Sequence, residues 1–481
     1  MAGAEEIAFR DTEIENASDL ELLLAGLGEV PLHFEEPDEH LIGMLTARQT
    51  KKTSSASIST GFDPHRNTDF AAEIVSAALE RFVPFTIHGD VYEEWGATAV
   101  QEVGLTLAAG IDFVASMRAQ GIKPDRVADS VAFSFAIENN FFIEIAKLRA
   151  FRMLWARALE SFGASPQHSR ALLYARASQW NQTIYDPHVN ILRSTTEAMS
   201  AVLGGADSIT VAPFDECYRS PTEASRRLAR NTQLILKHEA HLDRVADPGG
   251  GSYFLESTTD SIAHEEWKLM QRVEAEGGYR KASGHCRIAR ILEESLAPRE
   301  EAVESRRRVL TGTNRYADPS DRALDRIDAS GSGTSRRAAQ VYEELRLRTE
   351  RHAAKTSKTP LILLAEFGDA KMRSSRSHFA ADLFACAGLQ TTTRPFNNSD
   401  EIAAAGADLI VLCSSDPEYL AFASKLLPKL RARESETPII IAGLPEPTEQ
   451  LLSIGIAGFV HLRTNPIEFL EKWQQRLGIE A

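Results

Sequence analysis

Between residues 7 and 255, short β-rich runs alternate with long stretches of helical hydrophobic periodicity, and this alternation restricts the chain to a parallel α/β architecture. The runs expected as strands are 7–10, 31–35, 84–89, 131–137, 172–177 and 208–212, with a weaker one near Val245. Between them, TDFAAEIVSAALERF places Phe70, Ile74, Leu79 and Phe82 on one helical face. NNFFIEIAKLRAFRMLWARALESFG is apolar almost all round and is expected to be buried. Strand–helix units imply parallel strands joined by right-handed crossovers. Seven of them predict an α/β fold of the (β/α) TIM-barrel type, lacking its first strand.

Residues 311–357 change character. ADPSDRALDRIDASGSGTSRR is polar, ends in Gly and Ser, and reads as a linker; a charged helix follows, from about Arg336 to Ala354. From Thr359 the alternation restarts with PLILLAEF, LQTTTRPF, DLIVLCSS, PIIIAG and GIAGFVHLR, separated by helices. Five such strands predict a flavodoxin-like, doubly wound domain. The expected division is therefore a barrel over 1–310, a linker and connecting helix over 311–357, and a flavodoxin-fold domain over 358–481.

A formal net charge of −15 argues against non-specific binding to nucleic acid or anionic membrane. Cys217, Cys286, Cys386 and Cys413 are far apart, which fits reduced thiols in the cytoplasm better than disulfides or a zinc site. The N-terminus is acidic and lacks the pattern of a signal peptide. No apolar run approaches the roughly 18 residues of a membrane span.

Five collinear segments are more specific: GATAVQEVGLTLAAGIDFV (96–114), NNFFIEIAKLRAFRMLWA (139–156), DPHVNILRSTTEAMSAVLGGADSI (186–209), LARNTQLILKHEA (228–240) and DPGGGSYFLE (247–256). In this order they resemble the acyl-CoA mutase barrel of the methylmalonyl-CoA mutase family, strongly over about 84–285 and weakly over 1–83 and 358–481. The resemblance implies radical rearrangement of an acyl-CoA threaded through the barrel, with adenosylcobalamin on the flavodoxin-like domain. It also implies that many bacterial members pair a catalytic chain with a homologue that has lost both centres.

Several positions depart from the catalytic pattern of that family. Its Asp-x-His-x-x-Gly loop, whose His ligates cobalt, falls on EFGDAKMRSSRSHF (366–379). Asp369 persists, but Lys371 and Met372 stand where the His belongs, and His378 lies in the apolar pattern of the next helix. The later Gly-Gly pair admitting the nucleotide tail reads AGLP, so Gly443 remains while Leu444 adds a side chain where backbone must approach closely. In the barrel, the Tyr-His pair of G-Y-H-M-Q-E-A-G-A becomes Asp90 and Val91 in GDVYEEWGA, with Glu93, Glu94 and Trp95 making an acidic, bulky mouth. The polar H-T-Q-S-L-H-T-N run becomes GADSITVA (205–212), with Ala206 and Asp207 replacing His and Thr. The chain resembles the family from its second strand onward, so the sheet edges need cover, from a partner or from KKTSSASISTG.

Other residues have two readings. Arg193, Arg230, Asn231 and Gln233 could bind phosphate or CoA, or could cap helices and form interfaces. DPGGGSY (247–253) could cradle phosphate or form a tight strand-leading turn. His88 and His188 fit hydrogen-bonded structural residues at element ends, and RSSRS (373–377) fits a solvated basic loop. The resemblance therefore points to the small, non-catalytic subunit of a heterodimeric mutase. Catalytic and cofactor-binding residues are expected to be absent, no metal is expected, and adenosylcobalamin is expected on a larger partner. Two alternatives stay open: a mutase acting on another acyl-CoA, and a cofactor-free CoA-ester binding module.

Overall fold

A computed structural model describes the chain except residues 1–4, 11–12, 28, 51–56, 79–81, 285, 329–335, 435 and 481. The chain divides into two compact units. The first comprises Met1–Gln179, Ile191–Phe214 and Pro221–Ala297, and the second Trp180–Asn190, Asp215–Ser220 and Pro298–Ala481. These lines differ from the sequence boundaries at 310 and 357, because residues 298–357 group with the C-terminal unit.

The first unit holds two parallel sheets. β1 (Ile7–Phe9), β2 (Leu32–Phe34), β3 (Ile58–Thr60) and β4 (Phe82–Val83) pair in that order. β5 (Phe85–His88), β6 (Val131–Ile137), β7 (Leu172–Ala177) and β8 (Ser208–Thr210) form the other. Pro84, which has no N–H for a ladder, separates β4 from β5. Bonds on either side of it join the sheets: Thr60 Oγ1 donates to the Pro84 carbonyl at 2.6 Å, and Thr86 N to the Phe62 carbonyl at 3.0 Å.

Six of the expected strand runs are present, but the one near Val245 is not: that segment forms turns and Val245 is 61 % exposed. In its place stands β3, in the segment suggested as edge cover, of which residues 51–56 lie outside the described residues. Ile58-Ser-Thr is short and flanked by turn-forming residues, so its strand state comes from pairing on both sides rather than from local propensity.

On the helix-covered face, Phe34, Ile58, Phe85, Phe133, Phe135 and Leu173 join one apolar core. Phe133 lies 4.7 Å, ring to ring, from both Phe151 and Trp155. Gly110 admits the helix Ala99–Ala119 to this cluster, since a Cβ there would stand 2.7 Å from the Trp155 ring. By length and composition alone that helix could cross a membrane, contrary to the expectation of no such run, but 67 % of its apolar window is buried inside the fold.

The helices Ala99–Ala119, Phe141–Phe162 and Tyr253–Ala275 also enclose charge. Lys147 bridges Glu102 at 2.8 Å and Glu144 at 2.5 Å, and all three side chains are buried. Burial pushes the Glu102 carboxyl up to about 7 despite that ammonium. Glu266, from the third helix, is buried with neither carboxyl oxygen hydrogen-bonded, and burial holds it well above the usual carboxylate range.

In the second unit all five expected runs form strands: β9 (Ile362–Glu366), β10 (Thr391–Pro395), β11 (Leu409–Cys413), β12 (Ile439–Ala442) and β13 (Gly458–Val460). They are parallel and ordered β10-β9-β11-β12-β13. The described part of the expected linker is packed rather than free, with Thr313, Asn314 and Ala323 fully buried. The cause lies in the helix Gln340–Thr356. Its Glu350 accepts from the Ala323 and Leu324 amides and from the Tyr185 hydroxyl at 2.6 Å, and its Arg346 lies 3.8 Å over the Tyr185 ring.

Because the folded state raises the Glu266 pKa, the unfolded chain releases that proton more readily, and stability falls as pH rises above the ordinary carboxylate range. Glu266→Gln is expected to stabilise the protein at pH 8 by on the order of 1 kcal/mol, with the gain fading toward pH 4. Urea melts at both pH values check this; equal gains at both would remove the proton linkage.

Candidate functional site

Alternate residues of the strands in the first unit face a shared cavity of about 910 Å³. Ala8, His33 and Ser59 lie in register on one sheet, and His88, Ser134, Tyr174 and Ser208 on the other. The sheets meet across the lumen: the His33 and Tyr174 rings stand edge to face at 5.4 Å, and Arg176 lies 3.8 Å from Glu35. At the β1–β8 seam, Ser208 Oγ donates to Glu6 at 2.5 Å and Lys237 pairs with Glu5 at 2.5 Å.

The lumen wall mixes polar groups with apolar ones such as Val83 and Leu172. Burial drives the His33 imidazole down to about 4, so it is neutral, with Nδ1 2.8 Å from Ser59 Oγ. His88 Nε2 contacts the Gly61 carbonyl at 2.8 Å, and its Nδ1 lies 3.4 Å from Asp90 Oδ1. Burial opposes its charge, but the Asp90 carboxylate prevails and raises it to about 9. Asp90 in turn is held below the usual range: burial works against this, and His88, Arg176 and Ser134 outweigh it.

Asp90 opens the short helix Asp90–Glu94, where Val91 is half-buried. Glu93 does not reach the mouth as expected; it is buried and accepts from Ser178 Oγ at 3.0 Å. Trp95 is exposed. In 205–212, Ala206 and Asp207 border the cavity, and Asp207 is held by Arg152 at 2.7 Å, by Arg170 and by the Leu173 amide. On the helix Glu223–His238, Arg230 and Gln233 line the cavity. Asn231 does not, Arg193 is half-buried elsewhere, and His188 is exposed.

DPGGGSY forms a turn, but it leads into the helix Tyr253–Ala275 rather than a strand, with Ser252 as cap and Asp247 bound to Arg149 at 2.8 Å. Among the described residues no His, Cys, Asp or Glu cluster is placed to hold a metal ion.

In the second unit, Asp369 ends the turn after β9 and caps the helix Ala370–Ala385, accepting from the Met372 amide at 2.8 Å. The expected RSSRS loop is therefore the first half of a helix, started one residue after Asp369. Lys371, Met372 and His378 are exposed on it. Arg376 points inward and donates to the Tyr419 hydroxyl and the Ala442 carbonyl, both at 3.0 Å, and pairs with Asp416 at 2.8 Å. Gly443 has a φ of 140° and faces this guanidinium, so a Cβ there would collide with it. Glu418 fills the space beside Gly368 and accepts from Ser414 Oγ at 2.5 Å, Ser415 Oγ at 2.6 Å and the Asp369 amide at 3.2 Å. Those hydroxyl bonds bring its carboxyl down to about 2.

Residues 60–381 match the family model of methylmalonyl-CoA mutase. The chain is 38 % identical to the methylmalonyl-CoA mutase small subunit of Porphyromonas gingivalis, over 80 % of this chain and 64 % of that protein. It is 35 % identical to the small subunit of Streptomyces virginiae, over 74 % and 60 %. With the methylmalonyl-CoA mutase of Rhizobium meliloti the identity is 36 %, over 64 % and 44 %. The chain belongs to the methylmalonyl-CoA mutase family. Its matched part spans less than two thirds of each of these relatives.

Asp90, expected to stand in the Tyr-His pattern, is turned toward His88, a histidine expected in a structural role. His88 is the lumen residue that sequence reasoning set aside. The signal was its place two residues before Asp90 at the end of β5, where alternation points it inward.

The raised His88 pKa means the pair stabilises the fold fully below about pH 6.5 and loses that contribution as pH rises through about 9. Asp90→Asn is expected to return the His88 titration, followed by NMR, toward the ordinary histidine range. An unchanged midpoint would exclude Asp90 as its cause.

Proposed function

We propose that this chain is the non-catalytic small subunit of an adenosylcobalamin-dependent methylmalonyl-CoA mutase, stabilising a larger subunit that carries the cofactor and interconverts methylmalonyl-CoA and succinyl-CoA. On this reading the first unit is a (β/α) barrel of seven strands, with β4 and β5 counted as one interrupted strand, and the second is a flavodoxin-like doubly wound domain. The complex is a cytoplasmic heterodimer that binds neither nucleic acid nor membrane.

The observation that carries the reading is the crest of the second sheet. A bound cobalamin calls for a histidine in the turn after β9 and open backbone beside β12. Here the helix starts at Ala370, Lys371 and Met372 project to solvent, and Arg376 fills the space over Gly443. These residues do not fit the cofactor. The Asp90 carboxylate, committed to His88, supports the same reading for the barrel. Relatives named as small subunits support the partner.

Purified alone, the chain is expected to leave the absorption spectrum of adenosylcobalamin unchanged and to turn over no methylmalonyl-CoA. Co-expressed with a full-length large-subunit relative, it is expected to co-purify and raise that subunit's melting temperature. A cobalt-ligation spectrum from the lone chain would overturn the reading.

The open lumen favours a second, narrower reading as a cofactor-free CoA-ester binding module. Calorimetric titration with acyl-CoAs tests it, and a flat titration removes it.

A further inference from the structure

We propose that the lumen of the first unit binds a small hydroxy acid, with Arg176 holding its carboxylate and Asp90 accepting from its hydroxyl. The inference goes beyond the subunit reading and does not depend on it.

A parallel barrel that only needs a core fills its inward positions with bulky branched apolar side chains. Here those positions carry His33, Ser59, His88, Ser134, Tyr174 and Arg176. The space left, about 910 Å³, lies in the size range of small-molecule pockets.

Several acids around it already hold a close base, whereas Arg66, Arg176 and Arg230 line the cavity with no carboxylate closer than 3.8 Å among the described residues. Glu35 is taken by Arg10 at 2.6 Å, Asp90 by His88 at 3.4 Å and Glu5 by Lys237 at 2.5 Å. The Arg176 guanidinium makes no hydrogen bond to any described residue, and its nearest carboxylate, Glu35, stands at 3.8 Å. Asp90 and Glu94 feel its charge without bonding it. With a side chain 32 % exposed toward the cavity, Arg176 presents a planar fork of free donors. That geometry matches a carboxylate.

A second group bears on the rest of the ligand. Asp90 is more than nine-tenths buried, and its Oδ1 meets His88 Nδ1 only at 3.4 Å, outside good hydrogen-bond geometry. An unsatisfied buried acceptor is costly, and a ligand hydroxyl would satisfy it. The Tyr174 hydroxyl, on the same face two residues before Arg176, borders the same space.

Isothermal titration calorimetry on the cobalamin-free full chain tests this with glycolate, lactate and malate against acetate, propionate and succinate. At least one hydroxy acid is expected to bind five-fold or more tightly than its deoxy counterpart. Arg176→Gln is expected to weaken binding ten-fold or more, with Arg176→Lys intermediate and circular dichroism confirming the fold. Asp90→Asn is expected to erase the preference for the hydroxyl. The proposal is overturned if no hydroxy acid binds, if the deoxy acids bind equally well, or if Arg176→Gln binds as wild type does. It is also overturned if only CoA or its thioesters bind. Cobalamin spectra and turnover test the subunit reading separately, so either idea can fail alone.

Discussion

The two-residue repeat of a β-strand governs the first unit. Each strand must give one face to the surrounding helices and the other to the lumen. The helix-covered face is mostly apolar, and full burial of a side chain such as Phe133 or Phe135 contributes about 1.5–3 kcal/mol. That face holds the sheets in place, and it leaves the opposite face free to be polar. The lumen can therefore keep histidines, an aspartate and an arginine without a packed apolar interior. A register slip of one residue on β7 would send Tyr174 and Arg176 into the core and Leu173 and Ala175 into the lumen, so the same pattern fixes both fold and site.

The second sheet handles its crest differently. The open edge beyond β9 and β11, where strand order reverses, is where parallel sheets of this kind receive ligands. Here the protein supplies the groups that a ligand would bring. The Glu418 carboxylate takes the serine hydroxyls and the Asp369 amide, and the Arg376 guanidinium takes the Ala442 carbonyl. Both are internal ions satisfied by several partners, so they hold the turns after β9, β11 and β12 together.

Most of the fold was legible because long helices and apolar strands carry strong periodicity. β6 reads VAFSFAI and β11 reads LIVLC, and both stand where the pattern put them. β3 was not legible, since Ile58-Ser-Thr has one apolar residue and depends on its neighbours. The packing of residues 311–328 was hidden for a related reason. Polarity there signals partners, Arg346 and Glu350, that lie more than 20 residues away in sequence. At the crest, the sequence expectation concerned Lys371 and Met372, which the structure leaves exposed. The filling of the space by Arg376 was not legible, because a basic run in a sequence looks the same whether it projects to solvent or turns inward.

The lumen shows how a changed residue can give a site different chemistry. Asp90 was legible as a departure from a Tyr-His pattern, which taken alone suggests loss. In the structure it meets His88, and the two form an ion pair at the wall of the cavity. That pairing engages the Asp90 carboxylate, and Arg10 engages Glu35 at 2.6 Å. Arg176 stands 3.8 Å from Glu35 and borders the cavity. The carboxylate at position 90 thus sets the charge of His88 and bears on the electrostatics of the lumen.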